Sequence, residues 1–137
     1  MERIVVAVDG SETRKLVSMV NTLMDRFEEA ELIAIYVSPA ETLRFGNVPE
    51  HFEQALVERL REHVTHTLWH RLGNRVQFYN ERGHPVHTIC RAAVKLGANL
   101  IVIGSHTQGA VDRMLLGSTS QGVVHRSEIP VLVVKES

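Results

Sequence analysis

The sequence predicts an α/β fold: one doubly wound, five-stranded parallel sheet in the order 3-2-1-4-5, with helices on both faces. Three observations carry this. Five short runs, Ile4–Val8, Leu32–Val37, Val76–Tyr79, Leu100–Ile103 and Val131–Val134, punctuate the chain, and all but the third are near-continuous and β-branched. Continuous rather than alternating hydrophobicity marks strands buried on both faces, as in a parallel sheet under helices. Amphipathic segments with the helical period separate the runs, and β-α-β alternation of this kind builds right-handed crossovers. At 137 residues the chain reads as one domain, residues 1–137.

Each element follows from local chemistry. After the first run, Leu16, Val20, Leu23 and Phe27 repeat at helical steps behind Ser11, the expected N-cap, with Glu12 in the first turn. Residues 39–49, with two prolines and one glycine, are the only long irregular stretch. Just past Pro49, the positions Phe52, Leu56, Leu60, Val64 and Leu68 give a second helix. The third run, Val76–Tyr79, is the most polar. Val86, Ile89, Ala93 and Val94 mark a third helix, which begins near His84-Pro85 and stops at Gly97. A fourth helix covers residues 118–127, and Pro130 ends it before the last strand.

Composition excludes several functions. A formal charge of −1 gives no basic footprint for a nucleic acid. No apolar run approaches the roughly 20 residues that cross a bilayer, so no membrane partner is expected. The strand pattern begins by Arg3-Ile4, which leaves no room for a signal peptide. Cys90 stands alone, so there is no disulfide framework and no cysteine-rich metal site. A cytoplasmic protein is the expectation.

The most informative segment lies between the fourth strand and the fourth helix. The run Leu100–Ile103 stops at Gly104-Ser-His-Thr-Gln-Gly109, and a further glycine, Gly117, precedes the hydroxyl residues Ser118, Thr119 and Ser120. Strand, glycine loop and hydroxyl-capped helix is how a backbone presents N–H groups to an anion. Ordinary strand-to-helix connections use the same residues, so the segment alone does not decide. Topology adds a joint constraint. In such sheets ligands bind beyond the carboxyl ends of the strands, where the winding reverses. For this order those ends are Val8-Asp9-Gly10 and Ile103-Gly104-Ser105, which places a carboxylate and the glycine loop in one pocket. No P-loop Gly-Lys-Ser/Thr is present, and no Ser-His-Asp set can be assigned from spacing.

At these residues the chain resembles the universal stress protein family over essentially its whole length. The likeness rests on Ile4-Val-Val-Ala-Val-Asp-Gly-Ser11, Gly83-His-Pro85, Ala98-Asn-Leu-Ile-Val-Ile-Gly104, Leu115-Leu-Gly-Ser118 and Ile129-Pro-Val-Leu-Val-Val134. The family's ATP-binding branch has a glycine, two residues, a second glycine, nine residues, then Gly-Ser/Thr; here Gly104, Thr107 and Gly117-Ser118 keep the spacing. The second glycine is replaced by Thr107. The resemblance implies a small stress-response regulator that binds ATP or another adenine nucleotide (ADP or AMP), with magnesium as a companion and at most slow hydrolysis. It implies that Asp9 accepts hydrogen bonds from adenine or ribose, and that Val37 walls the base. His106 would line the phosphates, and Gly117, Ser118, Thr119 and Ser120 would cradle them. With the strand ends and loop, the candidate site is Ala7, Val8, Asp9, Val37, Ile103, Gly104, His106, Thr107, Gly109, Gly117, Ser118, Thr119 and Ser120.

The Thr107 departure leaves two readings. A β-branched residue in a left-handed conformation costs roughly 1–2 kcal/mol relative to glycine. The loop then either turns at Gly109, or Thr107 donates its hydroxyl to phosphate; otherwise the site is closed. The second function is therefore a dimeric interaction module that binds no nucleotide. A third is metal binding through His63, His66 and His70, which lie close together on a helix that advances roughly 100° per residue, with Glu58 or Glu62 as a further ligand. Histidine spacing alone is a weak signal, and the expectation is no metal. Residues 131–134 form an apolar strand at a sheet edge, where unpaired backbone groups invite another strand. Relatives dimerise through that strand, so a homodimer is expected, along with a protein partner whose identity the sequence does not carry.

Overall fold

Five parallel strands form one sheet in the order β3-β2-β1-β4-β5. In chain order these are β1 (Arg3–Ala7), β2 (Glu31–Ser38), β3 (Val76–Arg82), β4 (Leu100–Gly104) and β5 (Val131–Val134). The helices are α1 (Arg14–Arg26), α2 (Glu50–Glu62), α3 (Pro85–Lys95) and α4 (Ser118–Arg126). A π turn, His63–Leu68, and a 3-10 segment, His70–Arg75, join α2 to β3. The computed structural model describes residues 1–38, 50–105 and 117–135. The predicted order and parallel sense are both observed.

Strand periodicity divides the core in two. Ile4, Val6, Leu32, Ala34 and Val102 face α1, α2 and Trp69; Val5, Ile33, Ile35, Ile101 and Ile103 face α3 and α4. Both faces are covered, which is why these strands read as unbroken apolar runs. The edge strand β3 shows the converse. It runs on to Arg82, beyond the predicted end at Tyr79, and only Val76 and Phe78 are buried. Its outer residues are polar because one face and one edge meet solvent.

Four helical details differ from expectation. The N-cap of α1 is Thr13, whose side chain accepts from Leu16 N at 3.2 Å, and not Ser11. Ser11 is held in the preceding turn, where its N–H donates to Asp9 Oδ1 at 2.8 Å, so Glu12 also falls outside the helix. In α2, Glu53 and Val57 are buried while Phe52 and Leu56 face outward. Glu53 takes a core position because it pairs with Arg82 at 2.8 Å, and this ion pair hides the true face from a hydrophobicity reading. The π turn then inserts one extra residue: Trp69 N donates to Val64 O at 3.1 Å, and Trp69 rather than Leu68 is fully buried. Along α3 the predicted start and stop hold, with His84 as N-cap, Pro85 at the first turn and Gly97 at φ +70° just past the end. Val94, however, is exposed.

Candidate functional site

A crevice opens where the sheet divides. β1 pairs with β4 only as far as Val6 opposite Val102, whereas β1 stays with β2 through Ala7 opposite Ile35. β4 meanwhile follows β5 to Gly104 opposite Val134. Val8 N donates to Ile35 O at 3.0 Å, and Ser105 N donates to Val134 O at 2.9 Å, so the two strand ends are drawn apart. Between them lies a cavity of about 310 Å³.

Its walls come from separate elements. Ala7, Val8 and Asp9 continue β1; Ile35, Tyr36 and Val37 end β2; Ile103 and Gly104 end β4; Thr119 and Ser120 open α4. Eight predicted site residues therefore meet at one cavity: Ala7, Val8, Asp9, Val37, Ile103, Gly104, Thr119 and Ser120. Gly117 and Ser118 stand beside it rather than in its wall. Gly117 is buried and is the N-cap of α4, and its N–H donates to Ser105 O at 3.1 Å. That N–H is engaged inside the protein. His106, Thr107 and Gly109 lie outside the described residues, and the strain argued for Thr107 lies there with them.

The carboxylate end is a hydrogen-bonded turn. Gly10 adopts φ +95°, a left-handed conformation that favours glycine, and this reverses the chain after Asp9. Asp9 Oδ1 accepts from Ser11 N at 2.8 Å and from Ser11 Oγ at 2.5 Å. Glu12 folds back, and its Oε1 accepts from Asp9 N at 2.7 Å and Gly10 N at 3.1 Å. Glu12 Oε2 is buried in this wall with no hydrogen-bond partner among the described residues. At the opposite wall Ser120 Oγ donates to Gly104 O at 2.5 Å, which ties α4 to the end of β4. Gly117, the N-cap of α4, supplies no side-chain hydrogen bond to the helix, so the first N–H groups keep the anion-binding character of a helix start.

Tyr36 adds a phenol to the cavity. Burial raises its pKa above the ordinary 10.0, and the Glu53 and Asp9 carboxylates raise it further, so the hydroxyl stays protonated as a donor. The cavity lining also includes Ser11, Glu12, Leu16, Ile35, Tyr36, Pro85 and Ile89, which the sequence did not single out. Tyr36 was legible as the neighbour of Val37 at a strand end. Glu12 was hidden by its assignment to a helical turn, although Thr13, a second hydroxyl residue next in line, marked the alternative start. Pro85 and Ile89 required knowing that the start of α3 reaches the crevice. Among the described residues, no group of three or more His, Cys, Asp or Glu side chains is placed to hold a metal. The π turn carries His63 and His66 out of α-helical register and His70 lies beyond it, so the single helical face expected of the three does not form. Nor is any helix among the described residues long and apolar enough to cross a membrane.

A universal stress protein of Mycobacterium tuberculosis is 32% identical over 98% of this chain. The chain spans only 45% of that relative's length. Two solved structures share the fold: a universal stress protein from Archaeoglobus fulgidus in complex with dAMP, with TM-score 0.72, 21% identity and 98% of each chain covered; and a universal stress protein in complex with cAMP, with TM-score 0.74, 21% identity, and 99% and 98% covered. The model of the universal stress protein family matches residues 1–135, and the chain belongs to that family.

Proposed function

We propose that this protein is a regulatory universal stress protein that binds an adenine nucleotide in the β1/β4 crevice. The carrying observation is that one cavity joins an apolar cleft, a carboxylate turn and an uncapped helix start. Ile35, Val37 and Ile103 would enclose the base. Asp9 would accept from ribose hydroxyls with the oxygen that Ser11 leaves free, and Tyr36 would donate. The N–H groups at the start of α4, with Thr119 and Ser120, would face the phosphates. The dAMP and cAMP complexes of structural neighbours support this choice of ligand class. Magnesium would be held chiefly by phosphate oxygens and water, because no protein cage of ligands is present among the described residues. Binding rather than turnover is the role, and the site of action is the cytoplasm. A second copy pairs along β5, whose Val131, Leu132 and Val133 are only half-buried within one chain.

Isothermal titration with ATP, AMP and adenosine tests the nucleotide reading. Asp9→Ala should weaken ATP and AMP alike, whereas Thr119→Ala should weaken ATP more than adenosine. Thr107→Gly should tighten ATP by up to about tenfold if roughly 1.4 kcal/mol of strain is relieved. Absence of millimolar binding by both the unaltered protein and Thr107→Gly would sink the reading and leave the interaction module.

A further inference from the structure

A second concave surface lies away from the crevice, between α3 and the carboxyl end of α4. Its volume is about 570 Å³, within the range of small-molecule sites. His87, Arg91 and Lys95 line it from α3, at steps of four residues that stack side chains on one helical face. Arg126, the last residue of α4, faces them, with its Nη1 at 3.3 Å from His87 Nδ1. The ring of His84 stands 4.9 Å from that of His87, edge to face. Glu128 is the one carboxylate among the residues that line the groove.

Three cations, Arg91, Lys95 and Arg126, thus share one groove with a single carboxylate. Arg61, Arg71 and Arg82 are placed differently, each against a carboxylate of its own: Glu58, Asp25 and Glu53. Among the described residues, no carboxylate pairs with Arg91, Lys95 or Arg126. The chain as a whole carries −1, so the groove is a local concentration of positive charge and not a reflection of overall composition. Helix dipoles favour a cation at the carboxyl end of a helix, which accounts for Lys95 and Arg126. They do not account for Arg91 and Lys95 as like charges four residues apart.

We propose that this groove is a second ligand site, for a small polyanion bearing two or more phosphate or carboxylate groups. The stripe from position 87 to position 95 spans about 12 Å along the helix, too far for one monoanion to bridge. The contact with His87 fixes the Arg126 guanidinium, whose remaining donors form a fork suited to phosphate or carboxylate oxygens. Cys90 and Val94 supply the less polar floor. The ligand differs from the crevice nucleotide in needing no apolar cleft for a base.

NMR titration of the full chain with inorganic pyrophosphate, and separately with citrate, tests the proposal. Expected are saturable shifts of the His87 ring and of the Arg91 and Lys95 amides, with inorganic monophosphate much weaker. Arg126→Gln and Arg91→Gln, both at exposed positions, should each weaken binding about tenfold, while Arg71→Gln should leave it unchanged. The stronger of the two probes identifies phosphate or carboxylate as the recognised group. Shifts confined to the Thr119 and Ser120 amides would mean entry into the crevice alone and would overturn the proposal. So would the absence of saturable groove shifts at millimolar probe, or affinity unchanged in Arg126→Gln.

Discussion

Arg75 shows how much one side chain carries. From the segment before β3 it crosses to the end of α1, where Nε donates to Ala30 O at 3.0 Å and Nη2 donates to Met24 O at 3.0 Å and Phe27 O at 2.8 Å. Met24 O belongs to the last turn of α1, where helix carbonyls lack intrahelical partners, while Phe27 O, which also accepts from Ala30 N, and Ala30 O lie in the turn that follows. Arg75→Lys keeps the charge and loses the fork, so a loss of about 2 kcal/mol in urea unfolding is expected. His87 offers a second test at this scale. The Arg126 guanidinium first, then desolvation, His84 and Arg91, lower its pKa below the ordinary 6.5. The folded state thus binds fewer protons there than the unfolded chain, and this local contribution to stability declines as pH falls through 6.5. An NMR titration should place the His87 midpoint below 6.5, and Arg126→Gln should raise it. A midpoint that does not move would show that the guanidinium is not the main cause.

Among the elements, α3 and α4 pack closely where Gly122 meets Val86. A Cβ built on Gly122 would lie 2.5 Å from Val86 Cγ2 and 3.0 Å from its Cγ1. Val86 is buried and β-branched, so it has no rotamer into which to retreat. Gly122→Ala gains about 1 kcal/mol of helix propensity, yet overpacking costs about 1–3 kcal/mol. A net fall in melting temperature is expected, partly relieved in the Gly122→Ala variant when Val86→Ala is added. Independent, additive losses would argue against the contact. The same scale explains what sequence could and could not disclose. β1, β2 and β4 were legible because burial on both faces demands unbroken β-branched runs, and β5 because it keeps such a run although three of its four residues are only half-buried. The extension of β3 over Asn80, Glu81 and Arg82 was not, since an edge strand tolerates polar residues. The face of α2 was misassigned because Glu53 lies in the core as half of an ion pair. The π turn was invisible because its signature is one hydrogen bond from Trp69 N to Val64 O, not a residue pattern.

At the scale of the molecule, the site was legible to the extent that topology is. Order 3-2-1-4-5 brings Asp9 and Gly104 together whatever the side chains are, so one wall of the cavity followed from strand order. The other walls, Tyr36 and the start of α3, depend on how far each helix and strand overshoots the sheet, and periodicity does not encode that. Assembly depends on the backbone groups that the sheet leaves unpaired. Along β5, the carbonyls of Pro130 and Val134 accept from Ile101 N and Ser105 N, so alternate residues, 130, 132 and 134, face β4. In a parallel ladder the intervening Val131 and Val133 turn their N–H and C=O groups to the free edge. Light scattering should therefore report twice the 15.4 kDa chain mass if a second copy adds to this edge. Leu132→Lys or Val133→Lys should yield monomer, since an interface that buries an unpaired charge is costly. Val133→Pro is the sharper variant, because it removes an outward N–H while leaving the β4–β5 hydrogen bonds in place. It should dissociate the dimer with little change in the unfolding midpoint of the isolated chain. A monomer before any substitution, at tens of micromolar, would refute pairing through β5, and a dimer that survives Val133→Pro would move the interface elsewhere.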